Sequence, residues 1–213
     1  MGDVDIIKEY SNLYEGDQNS SKEYLYKRIS LYRKIVSIIE DLGINSILDI
    51  GCSYGLLVEE ANAKGIDAWG LDLPIKKLQE FHSKLPLSKG KFIYGQVEDD
   101  SVIRQLVGKK FQGITLLDTL RNLKNTKNIL KLEAQFIIIK EVSNNFYIRR
   151  KRRKAGIDFQ LYSPYDYLKI FPEYSVLRIY SSKFLFHIEK PNFLCLKLMN
   201  LLPTYTIVLK RKN

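Results

Sequence analysis

Asp49, Gly51, Gly55 and Asp72 are the residues whose types and spacing could do chemistry. They lie in Leu48-Asp49-Ile50-Gly51-Cys52-Ser53-Tyr54-Gly55-Leu56-Leu57 and in Gly70-Leu71-Asp72-Leu73. The first stretch is an apolar run that ends in a glycine turn and passes straight into a helical segment. The second is the end of the next apolar run. In open α/β sheets a ligand binds just past the carboxyl ends of the strands, where backbone must approach it closely and side chains would obstruct. Gly51 and Gly55 meet that need. Asp72, 23 residues after Asp49, reaches the same crevice with a carboxylate able to accept from both hydroxyls of a ribose. Spacing separates two kinds of ligand. A dinucleotide pyrophosphate calls for G-x-G-x-x-G, whereas this chain reads Asp-x-Gly-x-x-x-Gly with Ser53 where a middle glycine would stand. Asp49, directly before the turn, would repel two phosphates and suits a ligand that carries an ammonium and a sulfonium. Singly, such glycines serve any α/β fold and Asp72 serves as a helix cap before Pro74. Their conjunction is what points to a binding site.

The elements that must position these residues follow from hydrophobic periodicity. Ser20-Ser21-Lys22-Glu23 has the spacing of a capping box, after which Leu25, Ile29, Tyr32, Val36 and Ile39 recur at helical spacing until Gly43. Short apolar runs at Ser46 to Ile50, Ala68 to Leu71, Lys91 to Tyr94, Ile114 to Leu117 and Phe136 to Ile139 predict strands. Between them, Leu56 to Ala63, Pro74 to Ser83, Ser101 to Leu106 and Thr126 to Leu132 have helical character. This alternation implies parallel strands joined by right-handed crossovers, hence a doubly wound, mostly parallel α/β sheet. Past Lys140 the alternation weakens: a helix is expected over Tyr165 to Phe171 and strands near Val176 to Tyr180 and Tyr205 to Leu209. No linker or internal repeat is visible. We expect one domain over residues 1–213, made of an N-terminal helical segment (1–43), a cofactor-binding half (44–142) and a basic, substrate-side half (143–213).

The Asp49 to Gly55 segment resembles the first motif, D-x-G-x-G-x-G, of class I S-adenosylmethionine-dependent methyltransferases, and the resemblance extends from Ile44 to Val142. It implies the Rossmann-like fold of that family with an N-terminal helical lid, S-adenosylmethionine as cofactor and methyl transfer as activity. Carried over by position, Asp49 would orient the cofactor's amino group through the turn or a water. Gly51 and Gly55 would let the chain pass its methionine part and Asp72 would take the ribose hydroxyls, with Cys52, Ser53 and Leu73 beside them as further cofactor-binding residues. Many relatives place Gly-Asp and a small residue against the adenine after the third strand. Here the stretch is Gly95-Gln96-Val97-Glu98-Asp99, so Gln96 and Val97 are the expected contacts. Gln96 departs from the usual acid, which leaves Gln96 and Glu98 as alternatives for the adenine amino group. The fourth strand exits through Leu116-Leu117-Asp118-Thr119-Leu120-Arg121-Asn122-Leu123, which resembles the family segment passing under the cofactor and brings in Asp118. Asn122 stands where many relatives carry histidine, and asparagine can position a group but cannot act as a base near neutral pH. Transfer from a sulfonium needs alignment and exclusion of water more than a base. His82 and His187 are accordingly not expected to be catalytic. For a hydroxyl acceptor, Asp118, Glu141 or a nearby tyrosine are the available bases. Tyr10, Tyr14, Tyr24 and Tyr26 gather near the first helix, and the polar stretch Asn12 to Ser20 could form a mobile cover in the manner of similar methyltransferases. The plainer alternative is that these tyrosines pack the helix on the sheet.

Composition narrows the rest. Hydrophobic residues are 45 % and charged residues 27 % of the chain, the balance of a folded globular protein. No apolar run is long enough for a membrane span, and Met1 to Tyr10 carries Asp3, Asp5 and Glu9 where a signal peptide would be basic, so a cytoplasmic location is expected. Cys52 and Cys195 have neither the number nor the spacing of a disulfide framework or zinc site, and no metal is expected. The net charge of +10 arises entirely in residues 143–213, where 14 Lys and Arg face 4 Asp and Glu. Six of the cations form Arg149-Arg150-Lys151-Arg152-Arg153-Lys154, a run that fits a phosphate backbone or is a solvated surface. An RNA or DNA acceptor is one alternative, although no Asn/Asp-Pro-Pro-Tyr/Phe signature or RNA-binding module is present. A small-molecule or glycan acceptor is favoured, since the closing Leu201 to Lys212 pattern resembles the last strand of small methyltransferases. A non-catalytic binding protein of this fold is the third class.

Overall fold

The computed structural model describes residues 22–142, 148, 150, 162–181 and 187–212, with side chains from residue 27 onward. The expected 12–20 cover, the tyrosines of the N-terminal cluster and the start of the capping box lie outside the described residues and side chains. So does the 149–154 run except for Arg150, which is exposed.

The chain opens with α1 (Lys22–Asp41), whose Ile29, Ile35, Val36 and Ile39 are buried at helical spacing. The helix stops at Gly43, where φ is +66° and the Ile44 N–H turns back to the Ile39 carbonyl. A left-handed residue of this kind closes a helix at no steric cost only when it is glycine. Then come β1 (Ser46–Ile50), α2 (Leu56–Ala63), β2 (Asp67–Asp72), α3 (Lys76–His82), β3 (Phe92–Tyr94), α4 (Asp100–Val107) and β4 (Gly113–Leu117). A 3₁₀ turn at Leu120–Asn122, α5 (Lys127–Leu130) and β5 (Phe136–Val142) complete the alternating part. The later part holds α6 (Asp166–Ile170), β6 (Tyr174–Ser181), β7 (His187–Glu189), α7 (Phe193–Met199) and β8 (Thr204–Arg211).

The eight strands form one sheet in the order β3-β2-β1-β4-β5-β8-β6-β7. β1 to β5 pair in parallel, whereas β8 pairs antiparallel with both β5 and β6, and β7 antiparallel with β6. Side chains alternate across the sheet, so neighbouring residues feed two cores. Leu48, Ile114, Ile137 and Ile139 pack under α4 to α7, while Ile47, Ala68 and Ile138 pack under α1 and α2. Each of these isoleucines and leucines is fully buried, which stabilises the sheet by about 1.5–3 kcal/mol per side chain. Helices therefore cover both faces, as a doubly wound sheet requires. The strand order reverses between β1 and β4, and that reversal opens a crevice at their carboxyl ends.

Candidate active site

A cavity of about 720 Å³ occupies this crevice, a size suited to a small molecule or cofactor. Its walls come from the segments following β1, β2, β3 and β4, closed on one side by Arg28 and Tyr32 of α1. Of the residues expected from sequence, Gly51, Ser53, Asp72, Leu73, Gln96, Val97 and Asp118 line it. Asp49, Cys52 and Gly55 are not among the lining residues.

The turn after β1 is built backbone-first. Gly51 has φ +76°, and its N–H donates to the Leu71 carbonyl at 2.8 Å. A Cβ at Gly51 would collide with the side chain of Thr119, so residue type is dictated here by close approach as well as by φ. Ser53 adopts φ +50° without being glycine. Its N–H donates to Asp72 Oδ2 at 2.6 Å, and the Leu73 N–H donates to Asp72 Oδ1 at 2.7 Å. Asp72 is thus fixed by two backbone donors, one per oxygen, and each oxygen retains acceptor capacity. His82 holds the same turn from behind. Its Nε2 donates to the Ser53 carbonyl at 2.7 Å, because a carbonyl can only accept. That leaves Nδ1 to accept from the Tyr94 hydroxyl at 3.1 Å, with the ring stacked on Phe92 at 3.7 Å. Burial lowers the His82 pKa. Both ring nitrogens of His82 are thus engaged in holding the turn, and the residue does not line the cavity.

Asp49 sits behind the turn, 4 % exposed, and accepts from Thr115 Oγ1 at 2.6 Å across the β1–β4 pair. Burial drives its pKa up to about 7, with the Asp72 charge adding to the rise and the Thr115 hydrogen bond opposing it. Burial likewise pushes the Cys52 thiol well above its ordinary range, so this cysteine is not a ready nucleophile.

Asp118 directly follows β4 in the left-handed region, φ +60°, a conformation aspartate tolerates better than most residues. Its carboxylate receives Lys140 Nζ at 2.5 Å and Arg28 Nη1 at 3.4 Å, with Arg121 Nη1 at 3.8 Å. Arg121 also reaches Glu141 Oε2 at 3.2 Å. Glu141 is 2 % exposed, its Oε1 has no hydrogen-bond partner, and burial raises its pKa to about 7 against the pull of Arg121. The sequence reading named Asp118 and Glu141 but not Arg28, Arg121 and Lys140 as their partners. Ninety residues separate Arg28 from Asp118, and no local pattern records that meeting.

At the β3 exit Val97 is buried and Gln96 exposed, while Glu98 Oε1 accepts the Lys124 N–H at 2.8 Å. The donor set fits a nucleoside cofactor of positive charge. Asp72 offers a fixed diol acceptor, Leu73 and Val97 offer apolar faces, and the glycine turn leaves backbone against the cavity, which Arg28, Lys77, Arg121 and Lys124 also line.

No known family model matches the chain. Over 91 residues it is 28 % identical to the ubiquinone biosynthesis O-methyltransferase of Dechloromonas aromatica (strain RCB), a match spanning 43 % of this chain and 39 % of that protein. The fold is similar to magnesium protoporphyrin IX methyltransferase from Synechocystis PCC 6803 with bound SAH, at TM-score 0.60 and 15 % identity, covering 98 % of this chain and 95 % of that one. It is also similar to the small RNA methyltransferase HEN1, at TM-score 0.53 and 13 % identity, covering 86 % of this chain and 25 % of that one. The fold is that of the class I S-adenosylmethionine-dependent methyltransferases.

Proposed function

We propose that this chain is an S-adenosylmethionine-dependent methyltransferase that modifies a small-molecule or glycan acceptor. The observation that carries the reading is Asp72, held by two backbone N–H groups, one of them from the Gly51–Ser53 turn, in the lining of the cavity. Asp72 would hold the ribose hydroxyls, Leu73 and Val97 the adenine faces and Gln96 its polar edge. The Gly51–Ser53 backbone would run beside the methionine part, with Asp49 behind it favouring its ammonium. When bound, the cofactor supplies a methyl group on a sulfonium, an electrophile that needs no further activation.

The chain's own work is then orientation and exclusion of water. Tyr32, Leu117 and Leu123 give the cavity an apolar lining, and Arg28, Arg121 and Asn122 add groups that can align a polar or anionic acceptor. Glu141, buried outside the cavity lining, would hold the Arg121 guanidinium in place from behind, at 3.2 Å.

A small acceptor is supported by the activities named for the ubiquinone and protoporphyrin methyltransferases to which the chain is similar. A nucleic-acid acceptor draws on the excess charge of residues 143–213 and on the RNA named for HEN1. Label transfer from methyl-labelled S-adenosylmethionine, offered with metabolite extracts, oligosaccharides, RNA and DNA, separates them. We expect label in the small-molecule or glycan fraction, unchanged when residues 149–154 are neutralised to glutamine. Label in nucleic acid that vanishes on neutralisation contradicts the acceptor assignment. Cofactor binding without transfer to any fraction would instead assign a binding role.

A further inference from the structure

We propose that the outer face of α7 and the turn after it dock on an anionic lipid membrane surface. α7 anchors itself through Leu196 and Met199, each 4 % exposed, and its start is fixed by Asn192 Oδ1, which accepts the Cys195 N–H at 2.9 Å. What remains faces outward: Phe193 is 52 % exposed, Leu194 63 %, Leu198 56 % and Leu201 71 %. Tyr165 joins them, edge-on to Phe193 with ring centroids 5.3 Å apart. Leu194 and Leu198 are four residues apart and share one side of the helix. Single exposed leucines are ordinary, but aromatic and leucine side chains gathered in one short segment are a contact surface.

The rim decides the partner. Lys197 Nζ stands 4.6 Å over the Phe193 ring, Lys169 Nζ 5.1 Å over Tyr165, and Lys190 is exposed just before the helix. The nearby carboxylates are engaged: Asp166 accepts from Ser163 and pairs with Lys169, and Glu189 pairs with Arg178 and His187. An apolar centre of Phe and Leu ringed by lysine matches the headgroup region of an anionic bilayer, where the rings and leucines enter and the ammonium groups meet lipid phosphates. A second copy of this chain would bring the same lysines against each other, and lysine is depleted in protein interfaces. Among the described residues no helix is long and apolar enough to cross a membrane, so the mode is adsorption. The register Thr204↔Val142 puts the turn after α7 at the carboxyl edge of the sheet, the same edge on which the cavity lies. An adsorbed molecule would hold its cavity beside the lipid surface. This inference stands apart from the methyl-transfer reading and needs no activity to test.

The test is co-sedimentation of the full chain with vesicles of pure phosphatidylcholine and of phosphatidylcholine mixed with phosphatidylglycerol. Wild type should sediment with the mixed vesicles and far less with the pure ones. Leu194→Ser/Leu198→Ser/Leu201→Ser should weaken partitioning by about tenfold or more, and Lys169→Gln/Lys190→Gln/Lys197→Gln by about fivefold per lysine. Far-ultraviolet circular dichroism confirms that each variant is folded. Wild type left in the supernatant, or a folded leucine variant that binds as wild type does, overturns the proposal. A concentration-dependent dimer that the leucine variant dissolves, without vesicle uptake, would give the face to a second copy.

Discussion

Replacing Asp49 by asparagine makes the folded chain more stable, and increasingly so as pH rises. Asp49 is 4 % exposed and burial lifts its pKa from 3.8 to about 7. A carboxyl whose folded pKa is raised binds its proton more tightly in the native state. Its penalty is absent below pH 3.8, grows as pH climbs, and is complete above about 7. Stability therefore falls with rising pH across that window, by about 1.4 kcal/mol per pH unit for this one group. Asparagine cannot ionise and keeps an acceptor for Thr115 Oγ1. The advantage of Asp49→Asn should thus increase by about 3 kcal/mol between pH 4.5 and pH 7 and then level off. Urea unfolding followed by circular dichroism at pH 4.5, 6, 7 and 8, without cofactor, measures this. Glu141 titrates in the same range but is common to both proteins and cancels. A difference between variant and wild type that stays constant with pH would refute the buried, proton-holding Asp49.

Other substitutions probe the rest of the site. Asp72→Ala removes the diol acceptor and should weaken S-adenosylmethionine binding by about 1.5–3 kcal/mol in calorimetric titration. Unchanged affinity in the folded variant would remove Asp72 from the site. Gly51→Val forces a β-branched residue to φ +76° and into Thr119, so we expect a loss of at least about 2 kcal/mol in chemical unfolding. Arg121→Ala strips the cation from a carboxylate that is 2 % exposed. It should cost about 2–4 kcal/mol at pH 8 and much less at pH 5, where Glu141 holds its proton in the folded chain, and Glu141→Gln in the same background should restore most of the loss.

The parallel half of the fold was legible because its signals are local. β1 spans the same residues as its apolar run, and α2 begins where the glycine turn ends. Asp72 was readable for the same reason, since strand, turn and acid follow one another in the chain. Beyond β5 the reading thinned. α6, β6 and β8 were expected, but β7 is three residues with a half-exposed pattern, too short to show a period. α7 was missed because Phe193, Leu194, Leu196, Leu198 and Met199 are apolar all round it, and a helix without a polar face has no 3.6-residue signature. The antiparallel entry of β8 beside β5 depends on sheet pairing, not on sequence spacing. The cations around Asp118 come from α1, β5 and the 3₁₀ turn, so only the folded chain assembles them. Asp49 was expected to act on a ligand through the turn. Its side chain accepts a hydrogen bond from Thr115 on β4, a partner no motif announces.

If the crevice at the carboxyl ends of β1 and β4 takes S-adenosylmethionine, the purified chain must bind it without any acceptor present. Isothermal titration of the purified chain with S-adenosylmethionine, and separately with NAD, tests it directly. We expect saturable binding of S-adenosylmethionine, weakened by Asp72→Ala, and no binding of NAD, whose pyrophosphate finds no G-x-G-x-x-G turn. Binding of NAD alone, or of neither, would contradict it.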